Sequence, residues 1–191
     1  MTQYTKNNSA LVAVIGLDQP GIVATVSSAL TRLGCNIEEM TQSTLHDQFS
    51  GIYLLNKPEG LSNETLNEEI SKALEARKFH LSLVIRDFEE LPKDSVPESE
   101  SYVVTIWGKD GNDIVSTFSR IMSEQRVNIH DLRAKPLGEG ESVQIFEVSV
   151  PKAVDARALH RVMSERAKAM GLSLTTQHHL IFDAMHHIEI H

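Results

Sequence analysis

The chain repeats itself at a fixed distance. Ile22, Val23, Val26, Ala29 and Leu30 stand at helical spacing, and 92 positions later stand Ile114, Val115, Phe118, Ile121 and Met122. The same offset, without a gap, carries Asp18 to Asp110, Thr25 to Thr117, Ser27 to Ser119 and Asn36-Ile37 to Asn128-Ile129. One register held from a turn through a helix into a strand marks an internal duplication. Any fold that serves the first copy must therefore serve the second.

In the first copy, residues 10–15 read as a buried Val-rich strand bounded by Gly16. The apolar stripe from Ile22 to Leu33 predicts a helix, with Gly34 placed to end it. Residues 36–45 and 49–55 predict two strands joined by a turn at His46-Asp47-Gln48. A second amphipathic helix carries Leu66, Ile70, Ala73 and Leu74, capped near Ser62 or Asn63. Leu81, Leu83 and Ile85 alternate as a fourth strand. The order β-α-β-β-α-β is that of a split βαβ sandwich, an α+β fold with two helices on one face of an antiparallel sheet.

Residues 89–101 are acidic and rich in Pro and Ser, without periodicity, and predict a linker. The order then restarts. Strands are expected at 102–107, 128–136, 143–150 and 172–182, and helices from Ile114 and after a cap at Asp155. The two domains are thus 9–88 and 102–183, followed by a tail at 184–191.

The turn Asp18-Gln19-Pro20-Gly21 before Ile22-Val23 carries the chemistry of the first copy. Proline is pre-set for a first helical turn, and glycine lets another molecule approach the backbone closely. The free N–H groups and dipole of a helix start attract carboxylates. Plainer roles fit the same residue types. Asp18 and Asp110 suit helix caps, Pro20 and Gly21 suit a turn, and Asn36 and Asn128 tolerate a strained dihedral.

A net charge of −8 argues against salt-driven binding to a phosphate backbone. The single cysteine, Cys35, cannot form an intramolecular disulfide and reads as a small buried residue rather than a nucleophile. Residues 1–8 are polar and lack the apolar core of a signal peptide. No apolar run reaches the ~20 residues that span a bilayer. The expectation is a cytoplasmic protein. His178-His179 and His186-His187 with His191 match no familiar metal spacing, so no metal or cofactor is expected.

A strand, Gly-x-Asp-x-Pro-Gly-Ile-Val, an amphipathic helix, Gly-Cys-Asn-Ile and a hairpin together resemble the ACT domain, a small-molecule-sensing module. Two in tandem, over residues 9–88 and 102–183, are similar to the glycine cleavage system transcriptional repressor family. The resemblance implies an amino-acid site at an interface between modules. It falls on Asp18, Gln19, Pro20, Gly21, Ile22 and Val23, with Asn36 and Ile37 from the second strand. In the second copy the positions are Asp110, Gly111, Asn112, Asp113, Asn128 and Ile129. There Asn112-Asp113 replaces Pro-Gly, and a carboxylate at Asp113 would repel an anionic ligand. The first copy is expected to hold the better site; the second is either degenerate or reads an ammonium group.

The resemblance also implies a regulator that binds an amino acid such as glycine and controls transcription through a protein partner, a DNA-binding activator, without touching nucleic acid itself. The alternative is a regulatory subunit of an enzyme of amino-acid metabolism. No nucleophile–base pair, P-loop or metal motif points to turnover. Exposed sheet edges favour a homodimer or higher oligomer.

Overall fold

The computed structural model describes residues 8–89, 92 and 97–179. The chain divides into two compact units, 1–91 and 92–191. The first contains β1 (Ser9–Leu17), α1 (Ile22–Arg32), β2 (Asn36–Leu45), β3 (Gln48–Asn56), α2 (Asn63–Ala76) and β4 (Leu81–Asp87). Its four strands lie in the order β2-β3-β1-β4, each pair antiparallel.

Alternation along the two central strands decides which face is covered. Val12 and Val14 of β1 and Phe49, Tyr53 and Leu55 of β3 join Ile22, Val26 and Leu30 of α1 and Leu66, Ile70 and Leu74 of α2 in one buried cluster. The intervening residues face away from the helices: Ile15 and Ile52 remain 55 % and 46 % exposed. Period-2 alternation on strands and 3.6-residue periodicity on helices meet at one core. Ser62 caps α2 by accepting a hydrogen bond from Thr65 N–H, as its residue type predicts.

The second unit repeats the plan with β5 (Ser99–Lys109), α3 (Ile114–Glu124), β6 (Asn128–Gly138), β7 (Glu141–Pro151), α4 (Ala156–Ala169) and β8 (Leu172–His178). Its sheet order, β6-β7-β5-β8, is the first unit's order again. Asp155 caps α4, accepting from Arg157 and Ala158 N–H. Strand β5 begins three residues ahead of Tyr102, because Ser99, Glu100 and Ser101 find Pro151, Val150 and Ser149 opposite them. The expected last strand reached 182; β8 ends at His178, and residues 180–182 and the tail at 184–191 lie outside the described residues.

The offset between copies is not constant, and its changes locate the insertions. Thr44 pairs with Phe49, and Pro136 with Ser142; Leu45 pairs with Gln48, and Gly138 with Glu141. The extra residue, Leu137, sits in a register shift between Pro136 and Gly138 that β2 lacks. Both copies share the earlier shift, Ile37/Glu39 and Ile129/Asp131. A bulge absorbs one added residue without disturbing the pairing on either side. Between helix and last strand the first unit is longer, with Arg77-Lys78-Phe79-His80 where the second has only Met170-Gly171.

Gly16 and its counterpart Gly108 mark a close approach. A Cβ on Gly16 would lie 2.6 Å from Leu81 Cδ2 and 2.8 Å from the His80 carbonyl oxygen. On Gly108 it would meet Leu172 Cδ2 at 3.1 Å. The backbone carbonyl cannot swing away as a side-chain end can. Gly16→Ala is expected to destabilise the protein by about 1–3 kcal/mol in urea unfolding. Gly111→Ala, whose Cβ would meet nothing closer than 3.5 Å, should cost less than about 0.5 kcal/mol in the same measurement.

Candidate functional site

In each unit the loop after the first strand is pinned from below. Asp18 N–H donates to the Asp47 carbonyl at 2.7 Å, and Asp110 N–H donates to the Gly140 carbonyl at 2.8 Å. Both acceptors lie in the hairpin turn between the unit's second and third strands, so the loop and that turn form one end of the sheet.

Beyond the pinned aspartate the copies differ. Gly21 is the N-cap of α1 and adopts the left-handed region, φ 101°. Side chains are strained there, whereas glycine is not. Its carbonyl accepts from Thr25 twice, from N–H at 2.9 Å and Oγ1 at 2.8 Å. No side chain caps α1. Asp18 therefore does not cap the helix, and the Ile22 N–H of its first turn donates to the Gln19 carbonyl at 3.5 Å. In the second unit the N-cap is Asp113, at φ −110°, again without a side-chain cap; Asp110 does not cap α3 either. The negative carboxylate of Asp113 stands where the first unit has only glycine. The α1 start favours an anion and the α3 start opposes one.

The nominated residues fall into two groups. Asp18, Gln19, Pro20 and Gly21 gather at the hairpin end of the sheet, with Asp18 and Pro20 exposed. Ile22 and Ile114 are core residues, buried in their clusters, while Val23 packs half-buried against the core. Asn36 and Ile37 lie at the opposite end: Asn36 and Ser9 both pair with Asn56, whereas Leu17 and Leu45 both pair with Gln48. Eight strand residues separate the ends, about 26 Å. Asn128 and Ile129 are displaced in the same way from Asp110, Gly111, Asn112 and Asp113. One unit alone does not bring the two groups together.

Each asparagine has a local partner. Asn36 Nδ2 donates to Glu38 Oε1 at 2.7 Å. Asn128 Nδ2 lies 3.2 Å from His130 Nδ1, and His130 Nε2 in turn meets Ser149 Oγ. In the first unit the amide is held by a carboxylate, in the second by an imidazole.

Two further residues stand beside Gly21. Arg77 Nη2 lies 3.4 Å from where a Gly21 Cβ would be, and Phe79 Cζ lies 3.7 Å from it. The guanidinium rests over the Phe79 ring, 6.0 Å from its centroid. Both belong to the longer turn before β4, and their sequence trace is the break in register between the copies there.

Among the described residues there is no cluster of three or more His, Cys, Asp and Glu able to hold a metal ion, and no helix is long and apolar enough to cross a membrane. His178 packs edge-on against Tyr102, 5.3 Å between ring centroids. His186, His187 and His191 lie outside the described residues.

Residues 8–86 match the ACT domain family. A UPF0237 protein of Methanopyrus kandleri is 45 % identical over 65 residues, which cover 34 % of this chain and 72 % of that protein. The chain belongs to the ACT-domain family. The glycine cleavage system transcriptional repressor of Escherichia coli K12 is 25 % identical over 169 residues, 87 % of this chain and 86 % of that one. Among solved structures, an unknown protein from Galdieria sulphuraria superposes with a TM-score of 0.73 at 20 % identity, covering 90 % of this chain and 98 % of that chain. The family match ends at residue 86; the second ACT unit is identified by its sheet order and by the duplication.

Cys35, at the exit of α1 in the first ACT unit, is buried. Burial pushes its thiol pKa up, against a smaller opposing pull from the Lys57 ammonium. Thiolate is the reactive form. A disulfide reagent such as DTNB at pH 8 is expected to label the native protein at least about tenfold more slowly than the urea-unfolded chain.

Proposed function

We propose that this ACT-domain protein is a ligand-responsive regulator that binds a small amino acid, glycine foremost, and acts on transcription through a protein partner. The observation that carries this reading is the pair of half-sites at opposite ends of one sheet. An uncapped helix start at Gly21 suits a carboxylate. At the other end, the amide of Asn36 is bonded to the Glu38 carboxylate, a pair whose oxygens suit an ammonium group.

A second copy can unite them. If two β2 strands pair antiparallel, the Asn36 end of one chain lies against the Asp18–Gly21 end of the other. The edge of β2 is open to such pairing. Met40, Thr41, Gln42, Ser43, Thr44 and Leu45 include no charge and no proline, and all are exposed. At the corresponding edge, β6 carries Arg133, Lys135, Pro136 and the extra bulge, the devices that discourage strand addition. Pairing through the first unit is therefore favoured, which supports a homodimer with its ligands at the joint.

The relationship to the glycine cleavage system transcriptional repressor of Escherichia coli supports both the glycine-like ligand and the transcriptional role. A net charge of −8 fits action through a protein, a DNA-binding activator, rather than on DNA. A ligand that bridges two chains shifts their arrangement only as far as its affinity differs between arrangements.

A thermal-stability screen against the amino acids, glycine included, tests the reading. Ligand at ~100 times its Kd is expected to stabilise the protein by about 2.7 kcal/mol. Gly21→Leu should remove the shift, and the same change at Asn112 should not. No shift with any amino acid would refute ligand sensing. The edge is tested separately: Gln42→Lys with Thr44→Lys should convert a dimer to a monomer in sedimentation and abolish the shift, while leaving the circular dichroism spectrum unchanged.

A further inference from the structure

The groove between α1 and α2 of the first unit begins at Gly21, the helix start of the ligand site just described, and runs on from it between the two helices. The two helices run in opposite directions. Arg77, at the end of α2, lies beside Gly21, where α1 begins, and Arg32, at the end of α1, acts electrostatically on Glu69 within α2. Between them lies a groove of about 370 Å³. Its walls are small, with Ala24, Thr25 and Ser28 on one side and Ala73 and Ala76 on the other; Gly21 and Arg77 stand at one end and Arg32 at the other. Among the described residues its lining includes no carboxylate. Glu69 is turned to Lys72, at 2.7 Å.

The second unit is a control built into the same chain. By the offsets of 92 and 93 that align the paired helices, Ser28 becomes Arg120 and Ala73 becomes Arg166, long side chains where small ones stood. At the groove's ends Arg32 becomes Glu124 and Arg77 becomes Met170. One fold thus carries two helix surfaces: the first has a small-walled groove with cations at both ends, and the second has Arg120 and Arg166 in place of small residues, with a cavity of about 200 Å³ that is lined by Glu124 and Asp155. The fold itself does not demand the open, basic form.

The dimensions choose the occupant. α1 has 11 residues, a length of about 16 Å. A single small anion reaches one guanidinium but not both, whereas three to five residues of extended polypeptide span roughly 10–16 Å. Small walls let a backbone lie close, and guanidinium groups pair with carboxylates in bidentate fashion. Two cations on a chain of net charge −8 are too few to hold a nucleic-acid backbone.

We propose that the α1–α2 groove of the first unit docks an acidic segment of a protein partner, whose carboxylates engage Arg77 and Arg32 across the small-residue walls. This deepens the reading of a regulator acting through a protein and rests on that part of it.

The test uses the full chain and a fluorescein-labelled hexaglutamate peptide, followed by anisotropy at low salt. Saturable binding is expected. Arg32→Glu combined with Arg77→Glu should weaken it at least tenfold, and Ala73→Trp, which fills the groove without changing charge, should weaken it to a similar degree. Arg120→Glu with Arg166→Glu, in the second unit, should leave it within twofold. Three results would overturn the proposal: no binding by the unaltered chain, equal loss from the second-unit variant, or displacement of the peptide by free glutamate at comparable concentration, which would mark a small-anion site. Thermal shift with glycine is read in parallel on Arg32→Glu and Ala73→Trp. A retained shift with lost peptide binding supports docking in the groove beyond its Gly21 end, distinct from amino-acid binding. Peptide binding with no amino-acid shift in the unaltered chain refutes ligand sensing and supports the groove.

Discussion

Each unit rests on the burial of one face of its central strand pair beneath two helices. In the first unit β1 and β3 supply the apolar rows, and α1 and α2 close over them. In the second, Val104, Ile106, Phe146 and Val148 play the same part beneath α3 and α4. Because side chains alternate along a strand, one register of β1 on β3 decides which residues meet the helices, and a slip of one residue would turn the core outward. The strand ends, the hairpin turn and the helix start after β1 all take their places from that register.

The two cores solve one packing problem differently. In the first, Phe49 is buried and its ring crowds Gly51, where a Cβ would lie 2.8 Å from Cζ. The corresponding pair in the second is Ser142 and Gln144, bonded to each other at 2.7 Å. A large residue beside none has become a small one beside a long one, so volume is kept while polarity is not. Gln144 Oε1 is left without a partner among the described residues. A duplicated fold tolerates such exchange at sites where total volume, rather than residue identity, is the constraint.

Much of this was legible in the chain. The apolar periodicities located the eight strands and four helices of the described residues, since their signal is the very burial that holds them together. Ser62 and Asp155 were readable as caps because their short oxygens act on the next turn. The first helix of each unit misled, since an aspartate four residues before a helix looks like a cap, while Gly21 and Asp113 occupy the N-cap position. The separation of Asp18 from Asn36 was not legible either. It follows from strand pairing across the sheet, which spacing along the chain does not encode. Arg77 escaped notice because it acts through a turn two residues longer than its counterpart, and an ungapped comparison stops short of that turn.

The single added residue in β6 has a consequence beyond local geometry. Two sheets in one chain mean four outer strands, of which β2 and β6 are the longer, each a template on which another chain can pair. Were both equally receptive, every chain could bridge two others, and the product would be an open-ended ribbon. Leu137, lifted out of register beside Pro136, spoils one of the two templates. On the proposed pairing through β2, a receptive edge that matches itself makes a pair and stops. By this reading, a one-residue insertion marks the difference between a finite assembly and a polymer.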